Sequence, residues 1–316
     1  MAPHRPALHA HCYRLLGSLH DAEDALQDAL LATWRGLPGF EGRSSLRTWL
    51  YTIATNVCLR TIATRPERLL PAERGAAGDP RGELAEPLVE LVWVEPYPDE
   101  GLGLGDRCAA PEARLQQREA VELAFVAALQ HLPATQRAVL ILRDVLGFSA
   151  REVAEALETT TASVNSALQR ARASVDERVP ERSQQATRRA LGEERHRELV
   201  NAFVRAWDAA DVEGIVALLA EDASFTMPPI PTWFRGRDDI RAFAAERVFA
   251  TPWRFVAASA SGQPAMAGYQ WRDDEQRFRL STLNVLTLGD GLVAGMTAFL
   301  DPEVIARFGL PDLVPS

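Results

Sequence analysis

Ser163, Asn165, Ser166, Gln169, Arg170 and Arg172 lie on one side of the segment TASVNSALQRAR, with Val164, Leu168 and Ala171 on the other. Such hydrogen-bonding and cationic side chains suit DNA base edges and phosphates when a helix presents them together. They also suit an ordinary solvated helix face, so the neighbouring residues must decide. Upstream, Val139, Leu140, Leu142 and Val145 recur at helical spacing, and Gly147 ends that helix. Ser149 and Glu152 form a capping-box pattern that starts the next one. Val153, Ala154 and Leu157 give it an apolar stripe, with a small residue where two helices cross. Glu158-Thr159 then makes a short turn. The whole reads as a helix followed by a helix-turn-helix.

A second chemical group lies near the N-terminus. Asp21, Asp24, Gln27 and Asp28 form an acidic stripe on a helix that also carries Trp34. Pro38-Gly39 breaks this helix, and Ser44 or Ser45 starts the next. There Arg43, Arg47 and Arg60 interleave with Trp49, Tyr51 and Asn56. Cations for phosphates beside a π-face for an unstacked base are what single-stranded DNA requires. Trp49 and Tyr51 fit a core role equally, because Leu46, Leu50, Ile53 and Val57 already form an apolar stripe beside them.

The elements that must position these residues follow from length and composition. A chain of 316 residues, 47% apolar and 24% charged, implies a soluble protein of two or three domains. No apolar run is long enough to span a membrane, and the N-terminus lacks a signal-peptide core, so a cytoplasmic protein is expected. Cys12, Cys58 and Cys108 are far apart, without metal-ligand spacing; neither a metal nor a cofactor is expected. All 34 basic residues are arginine, and the net charge is −9. Residues 1–66 carry 7 basic and 5 acidic side chains and 114–191 carry 11 and 9, whereas 67–113 carry 4 and 11 and 192–316 carry 12 and 18. Two weakly basic blocks alternate with two acidic ones. So few surplus cations hold DNA poorly, which favours a DNA reader working inside a larger assembly.

Five segments result: a helical block at 1–65, an acidic Pro/Gly-rich linker at 66–113, the helix-turn-helix block at 114–178, a polar linker helix at 179–194, and a different domain at 195–316. Within the linker, VELVWVEPYP is apolar enough to pack on something. In the last segment a helix over 195–220 and a strand, DASFTMPP, precede another helix, RDDIRAFAAERVF. Four strand-like runs joined by SGQP, RDDEQ and GDG follow, which predicts an α+β domain with an antiparallel meander. Trp207, Phe225, Trp233, Phe243, Trp253, Tyr269, Trp271 and Phe299 supply enough aromatic surface to line a pocket. Asp208, Asp222, Glu246 and Asp301 are candidate carboxylate bases, but no spacing singles out a pair, and no histidine follows His196. A regulatory or ligand-sensing domain is therefore favoured over an enzyme.

Together these residues resemble the extracytoplasmic-function group of the sigma-70 superfamily. HCYRLLGSLHDAEDALQDALLATWRGLPGFEGRSSLRTWLYTIATNVCLR is similar to region 2 of that group, with a first helix that looks short. LPATQRAVLILRDVLGFSAREVAEALETTTASVNSALQRARA is similar to region 4. The C-terminal segment resembles a SnoaL-like domain of the nuclear-transport-factor-2-like cone fold. The resemblance implies two all-α domains and an α+β cone, and it implies core RNA polymerase and promoter DNA as partners. It assigns Asp21, Asp24, Gln27, Asp28 and Trp34 to polymerase binding. Arg43, Arg47, Trp49, Tyr51, Asn56 and Arg60 then face the −10 element, and Ser163, Asn165, Ser166, Gln169, Arg170 and Arg172 the −35 element. Asn165 and Ala167 stand where the family often has a basic residue. A C-terminal pocket for a small molecule is expected around Trp207, Asp222, Phe225, Trp233, Glu246 and Tyr269, and the tail FLDPEVIARFGLP is expected to clasp the sigma domains. The competing classes are a stand-alone helix-turn-helix repressor and an enzyme on a DNA-binding scaffold.

Overall fold

The structure is a computed structural model describing residues 4–73, 75–88, 93–102 and 117–314. It divides into two units: Met1–Arg68 with Asp99–Glu181, and Leu69–Pro98 with Arg182–Ser316. Among the described residues no helix is long and apolar enough to cross a membrane, and no cluster of His, Cys, Asp or Glu could hold a metal.

The first unit is all-helical. It opens with α1 (Arg5–Leu16), α2 (Leu19–Gly36) and α3 (Leu46–Ile62), which pack on one another. Gly17 closes α1 in the left-handed conformation, φ 69°, and Ser18 caps α2 by accepting from the Asp21 N–H. Ser45 caps α3 in the same way, accepting from the Thr48 N–H. Leu15, Leu26, Ala54 and Cys58 are fully buried between these helices. The second half comprises α4 (Leu123–Gln130), α5 (Ala134–Leu140), α6 (Ala150–Ala156) and α7 (Thr161–Asp176). The helix expected to run through Val145 widens into a π turn over Ile141–Val145 and ends at Gly147, φ 72°. The capping box of Ser149 and Glu152 is complete. Glu158, φ 51°, makes the turn of the helix-turn-helix.

The second unit begins with α8 (Gln184–Leu191), α9 (Glu193–Asp208) and α10 (Val212–Ala217). The single helix expected over 195–220 thus breaks at Ala210, φ 51°, where Asp211 caps α10 by accepting from the Gly214 N–H. Strands β1 (Leu219–Met227) and β2 (Ile230–Arg235) follow, then α11 (Arg237–Glu246), β3 (Trp253–Ala260), β4 (Gln263–Arg272), β5 (Arg277–Gly289) and β6 (Leu292–Phe299). The sheet order is β2-β1-β6-β5-β4-β3. The meander is antiparallel as expected, but β1 joins β6 in parallel, so the sheet is mixed. Strand β2, IPTWFR, follows the cis Pro228–Pro229 bond, and the two prolines mask its strand pattern in the sequence. The tail, expected to clasp the helical regions, is used on its own sheet. There α12 (Pro302–Ala306) packs on β5 and β7 (Leu313–Val314) pairs with it, while Leu310 and Val314 pack with Tyr269 and Phe278.

The linker is largely a structural part of this unit. Gly78 N–H donates to Trp233 O, and Leu88 N–H to Pro229 O. Tyr97 N–H donates to Ser261 Oγ, and Ser261 N–H returns a bond to Tyr97 O. Trp93, Val94 and Tyr97 are buried, so the apolar run does pack, and it packs on the C-terminal domain.

His11 is fully buried in the helical unit. Thr55 Oγ1 donates its hydrogen to Tyr51 O, so the His11 Nε2–H donates to Thr55 Oγ1 at 2.8 Å. His11 Nδ1 has no partner. Burial first, then Arg14 and Arg47, lower its pKa to about 3. An unfolded chain protonates this ring near the ordinary histidine value of 6.5. Between those values the unfolded state binds more protons, so stability rises with pH and is lost as pH falls from about 6.5 toward about 3. The urea midpoint should therefore drop between pH 7 and pH 5, and His11→Gln should flatten that drop; an equal drop in both proteins would contradict this account.

Candidate functional site

The helical unit carries three surfaces built from the residues singled out above. On α7, Val164, Ala167, Leu168, Ala171 and Val175 are buried. Ser163, Asn165, Ser166, Gln169, Arg170 and Arg172 are all exposed on the opposite side. Ala167 faces inward, which explains why no cation stands there. Arg170 donates to Ser166 Oγ at 2.6 Å. Arg172 makes a two-pronged pair with Asp144, at 2.8 and 2.7 Å, which neutralises part of the face.

On α2, Asp24, Gln27 and Asp28 are exposed, and Trp34 is 72% exposed. Leu31, 54% exposed, completes this stripe and was not anticipated, because its spacing also fits the core stripe. An exposed tryptophan beside an exposed leucine and two carboxylates has the character of a docking anchor with a charged rim. Asp21 does not belong to it. It is buried, 3% exposed, and paired with Arg68 and, at 3.3 Å, Arg65. Its position in the first turn of α2 turns it inward, where the Arg68 guanidinium replaces water.

On α3 the expected DNA-facing residues divide. Arg43, Asn56 and Arg60 are exposed, and Arg43 pairs with Glu41 at 3.1 Å. Trp49 is half-buried and packs on Phe40, with the ring centroids 4.8 Å apart and the rings tilted by 34°. Tyr51 is core: it is 5% exposed and meets His11 and Phe148 edge-on. Arg47 is turned toward the helix-turn-helix. It donates to Leu146 O at 3.0 Å, with its guanidinium 4.8 Å from the Phe148 ring and 5.3 Å from the Tyr51 ring. Thr48 Oγ1 donates to Glu152 Oε1 at 3.3 Å. Bonds from the Ser149 N–H and hydroxyl, then from Thr48, and the charge of Arg47 hold the Glu152 carboxyl below its ordinary pKa. Asn56 and Arg60 line a cleft whose far side is Ala156, Leu157 and Glu158. One face of α3 is thus closed against the helix-turn-helix.

In the C-terminal unit a cavity of about 430 Å³ opens beside the sheet. Trp207, Phe225, Phe243, Trp253 and Phe255 form its aromatic wall, and Gln270, Thr282, Asn284 and Arg247 add polar groups. Gly268 makes this possible, since a Cβ there would lie 2.9 Å from the Phe255 ring and 2.4 Å from Thr282 Oγ1. Of the six residues expected here, Trp207 and Phe225 do line the cavity. The other four do not. Asp222 is exposed on β1, and Glu246 pairs with Arg81 at 2.9 Å. Trp233 donates to Gly75 O at 2.9 Å, and Tyr269 lies in a separate apolar cluster. Alternation along each strand sends Asp222, Trp233 and Tyr269 to the other side, and Glu246 ends α11. The remaining candidate bases are engaged as well: Asp208 accepts from the Phe255 N–H at 2.9 Å, and Asp301 caps α12. Leu84, from the linker, joins the lining, and no sequence periodicity signalled it.

The family descriptions Sigma-70 region 2, Sigma-70 region 4 and SnoaL-like domain match residues 1–66, 122–175 and 200–296. The chain is 42% identical over 315 residues to the ECF RNA polymerase sigma factor SigG of Mycobacterium tuberculosis, covering 98% of this chain and 82% of that protein. The chain belongs to the extracytoplasmic-function (ECF) family of RNA polymerase sigma factors. It is also 26% identical over 159 residues to the ECF RNA polymerase sigma-E factor of Escherichia coli, covering 50% of this chain and 74% of that one. The crystal structure of M. tuberculosis SigJ superposes with a TM-score of 0.59 at 22% identity, covering 98% of this chain and 97% of that one, and so shares the fold. The helical unit therefore holds sigma regions 2 and 4, and the cone is the SnoaL-like domain.

The contrast between the two kinds of carboxylate on α2 is measurable. Asp21→Asn removes a buried carboxylate paired with Arg68 and Arg65 and should cost on the order of 3 kcal/mol of stability. Asp28→Asn, on the exposed stripe, should leave the urea unfolding curve unchanged. A silent Asp21→Asn would show that its buried pair is not structural.

Proposed function

We propose that this sigma factor directs core RNA polymerase with the three surfaces just described, acting in the cytoplasm where polymerase works. The observation that carries the assignment is the six-residue polar face of α7, exposed on a helix whose other side is buried. Ser163, Asn165, Ser166, Gln169, Arg170 and Arg172 read the −35 element from the major groove. Asp24, Gln27, Asp28, Leu31 and Trp34 dock on polymerase. Arg43, Arg47, Trp49, Asn56 and Arg60 act at the −10 element; Tyr51 supports them from the core. The C-terminal domain tunes this activity without chemistry of its own and takes up a small molecule in its cavity. Engagement of Asp208, Glu246 and Asp301 in structural contacts supports the regulatory reading over an enzyme.

Run-off transcription with purified core polymerase, on the promoter upstream of this protein's own gene, tests the assignment. Gln169→Ala should relax discrimination at one −35 position, at roughly 1–3 kcal/mol. Arg170→Ala should weaken every promoter alike and lower the salt dependence. Trp34→Ala should reduce transcripts from all promoters alike by weakening core binding about thirty-fold, the equivalent of a 2 kcal/mol anchor. Wild-type protein without sequence-specific transcripts, alongside an active control sigma factor, would defeat the proposal.

Arg47 is held against region 4 through Leu146 O and the Phe148 ring, so its release to the −10 element requires that polymerase binding open the helical unit. Dyes placed at exposed residues 41 and 177, in a Cys108→Ser background, should lose energy transfer when core polymerase is added. Unchanged transfer would mean that the closed form is itself the active one.

A further inference from the structure

The cavity of the C-terminal domain contains a polar atom that the protein leaves unused. Trp207 is 2% exposed, lines the cavity, and its indole N–H has no acceptor. The contrast with other tryptophans is sharp: Trp93, Trp233, Trp253 and Trp271 each donate their N–H to a carbonyl or a carboxylate. A buried donor without an acceptor is costly, and native interiors rarely tolerate one without a purpose. Thr282 points to the same chemistry. Its Oγ1 accepts from Asn284 Nδ2 at 2.8 Å, which leaves its own hydrogen to donate.

Among the described residues the lining carries one cation and no carboxylate. The cation, Arg247, is turned to the linker backbone, donating to Arg81 O and Gly82 O. Aromatic and aliphatic side chains supply most of the surface, as in sites for compact apolar molecules. Leu84 belongs to the linker segment that Gly78, Ala85 and Leu88 pin to the domain, through Trp233 O, Thr232 Oγ1 and Pro229 O.

We propose that this cavity binds a neutral, largely apolar molecule carrying a carbonyl oxygen, that the oxygen accepts the Trp207 indole N–H, and that Leu84 closes over the bound molecule. This rests on the reading of the domain as a ligand-binding regulator and names the ligand's chemical class. It also places the ligand against the chain that joins region 2 to region 4, so occupancy is sensed by the segment linking the two DNA-reading regions.

Benzophenone and diphenylmethane share two rings and differ only in the carbonyl, so they isolate the proposed hydrogen bond. Each is titrated into full-length protein labelled with ¹⁵N at the tryptophan indoles, with affinities measured by calorimetry. Benzophenone should bind at least ten-fold more tightly. It should move downfield one indole resonance, the one missing in Trp207→Phe. In Trp207→Phe the two compounds should bind alike. Leu84→Ala should weaken both several-fold while preserving their ratio. Failure of both to bind, equal affinities in the wild type, an unmoved Trp207 resonance, or Leu84→Ala binding as tightly as wild type would each overturn the proposal. Should Trp207→Phe not fold, the wild-type affinity ratio decides. No polymerase is present, so failure here leaves the transcription assignment standing, and failure of promoter-directed transcription leaves this one.

Discussion

The helical unit depends on one buried guanidinium, that of Arg137. It donates to Leu15 O, Gln130 O and Leu132 O, and to Gln130 Oε1. The carbonyls near the C-terminal ends of α1 and α4 lack helical partners and concentrate negative potential, so a cation there satisfies several acceptors at once. Leu15 belongs to region 2 and Arg137 to region 4, so this contact joins the two regions. Arg14 repeats the device in the other direction, donating to Ala120 O and Gln117 O. Arg47 adds a third contact through Leu146 O and the rings of Tyr51 and Phe148. Three arginines thus bond the region 2 helices to the segment that carries region 4.

That arrangement explains why a residue suited to DNA phosphates need not be available to them. Arg47 is exposed, yet it donates to Leu146 O and its guanidinium lies over the Phe148 and Tyr51 rings. Arg172 is exposed, yet Asp144 neutralises it. With so few surplus cations on the chain, each such engagement matters to promoter affinity, and each can be undone when a stronger partner arrives.

The acidic linker shows how composition can mislead about order. Its Pro, Gly and Glu content suggests a flexible spacer, yet residues 75–88 and 93–98 donate and accept backbone bonds along the C-terminal domain. The sheet edge and the β3–β4 turn supply acceptors and donors that no periodicity within the linker could reveal. Leu84 reaches the cavity for that reason.

The sequence by itself determined the three-part architecture, the helix-turn-helix with its capping box, the outward face of α7 and the acidic stripe of α2. Those features are local: they follow from spacing at 3.6 residues per turn and from caps within a few residues. It also carried the alternation of the β meander. Only the tertiary structure decided which side of each element would be covered by something distant in sequence. It turned Asp21 inward to Arg68 and made Tyr51 core. It withdrew Asp222, Trp233, Glu246 and Tyr269 from the cavity, placed β2 after two prolines, and brought Leu84 across to the Trp207 cavity. The physical reason is common to all of them: a side chain's partner is set by packing between segments dozens to hundreds of residues apart, and periodicity within one segment carries no information about what will lie against it.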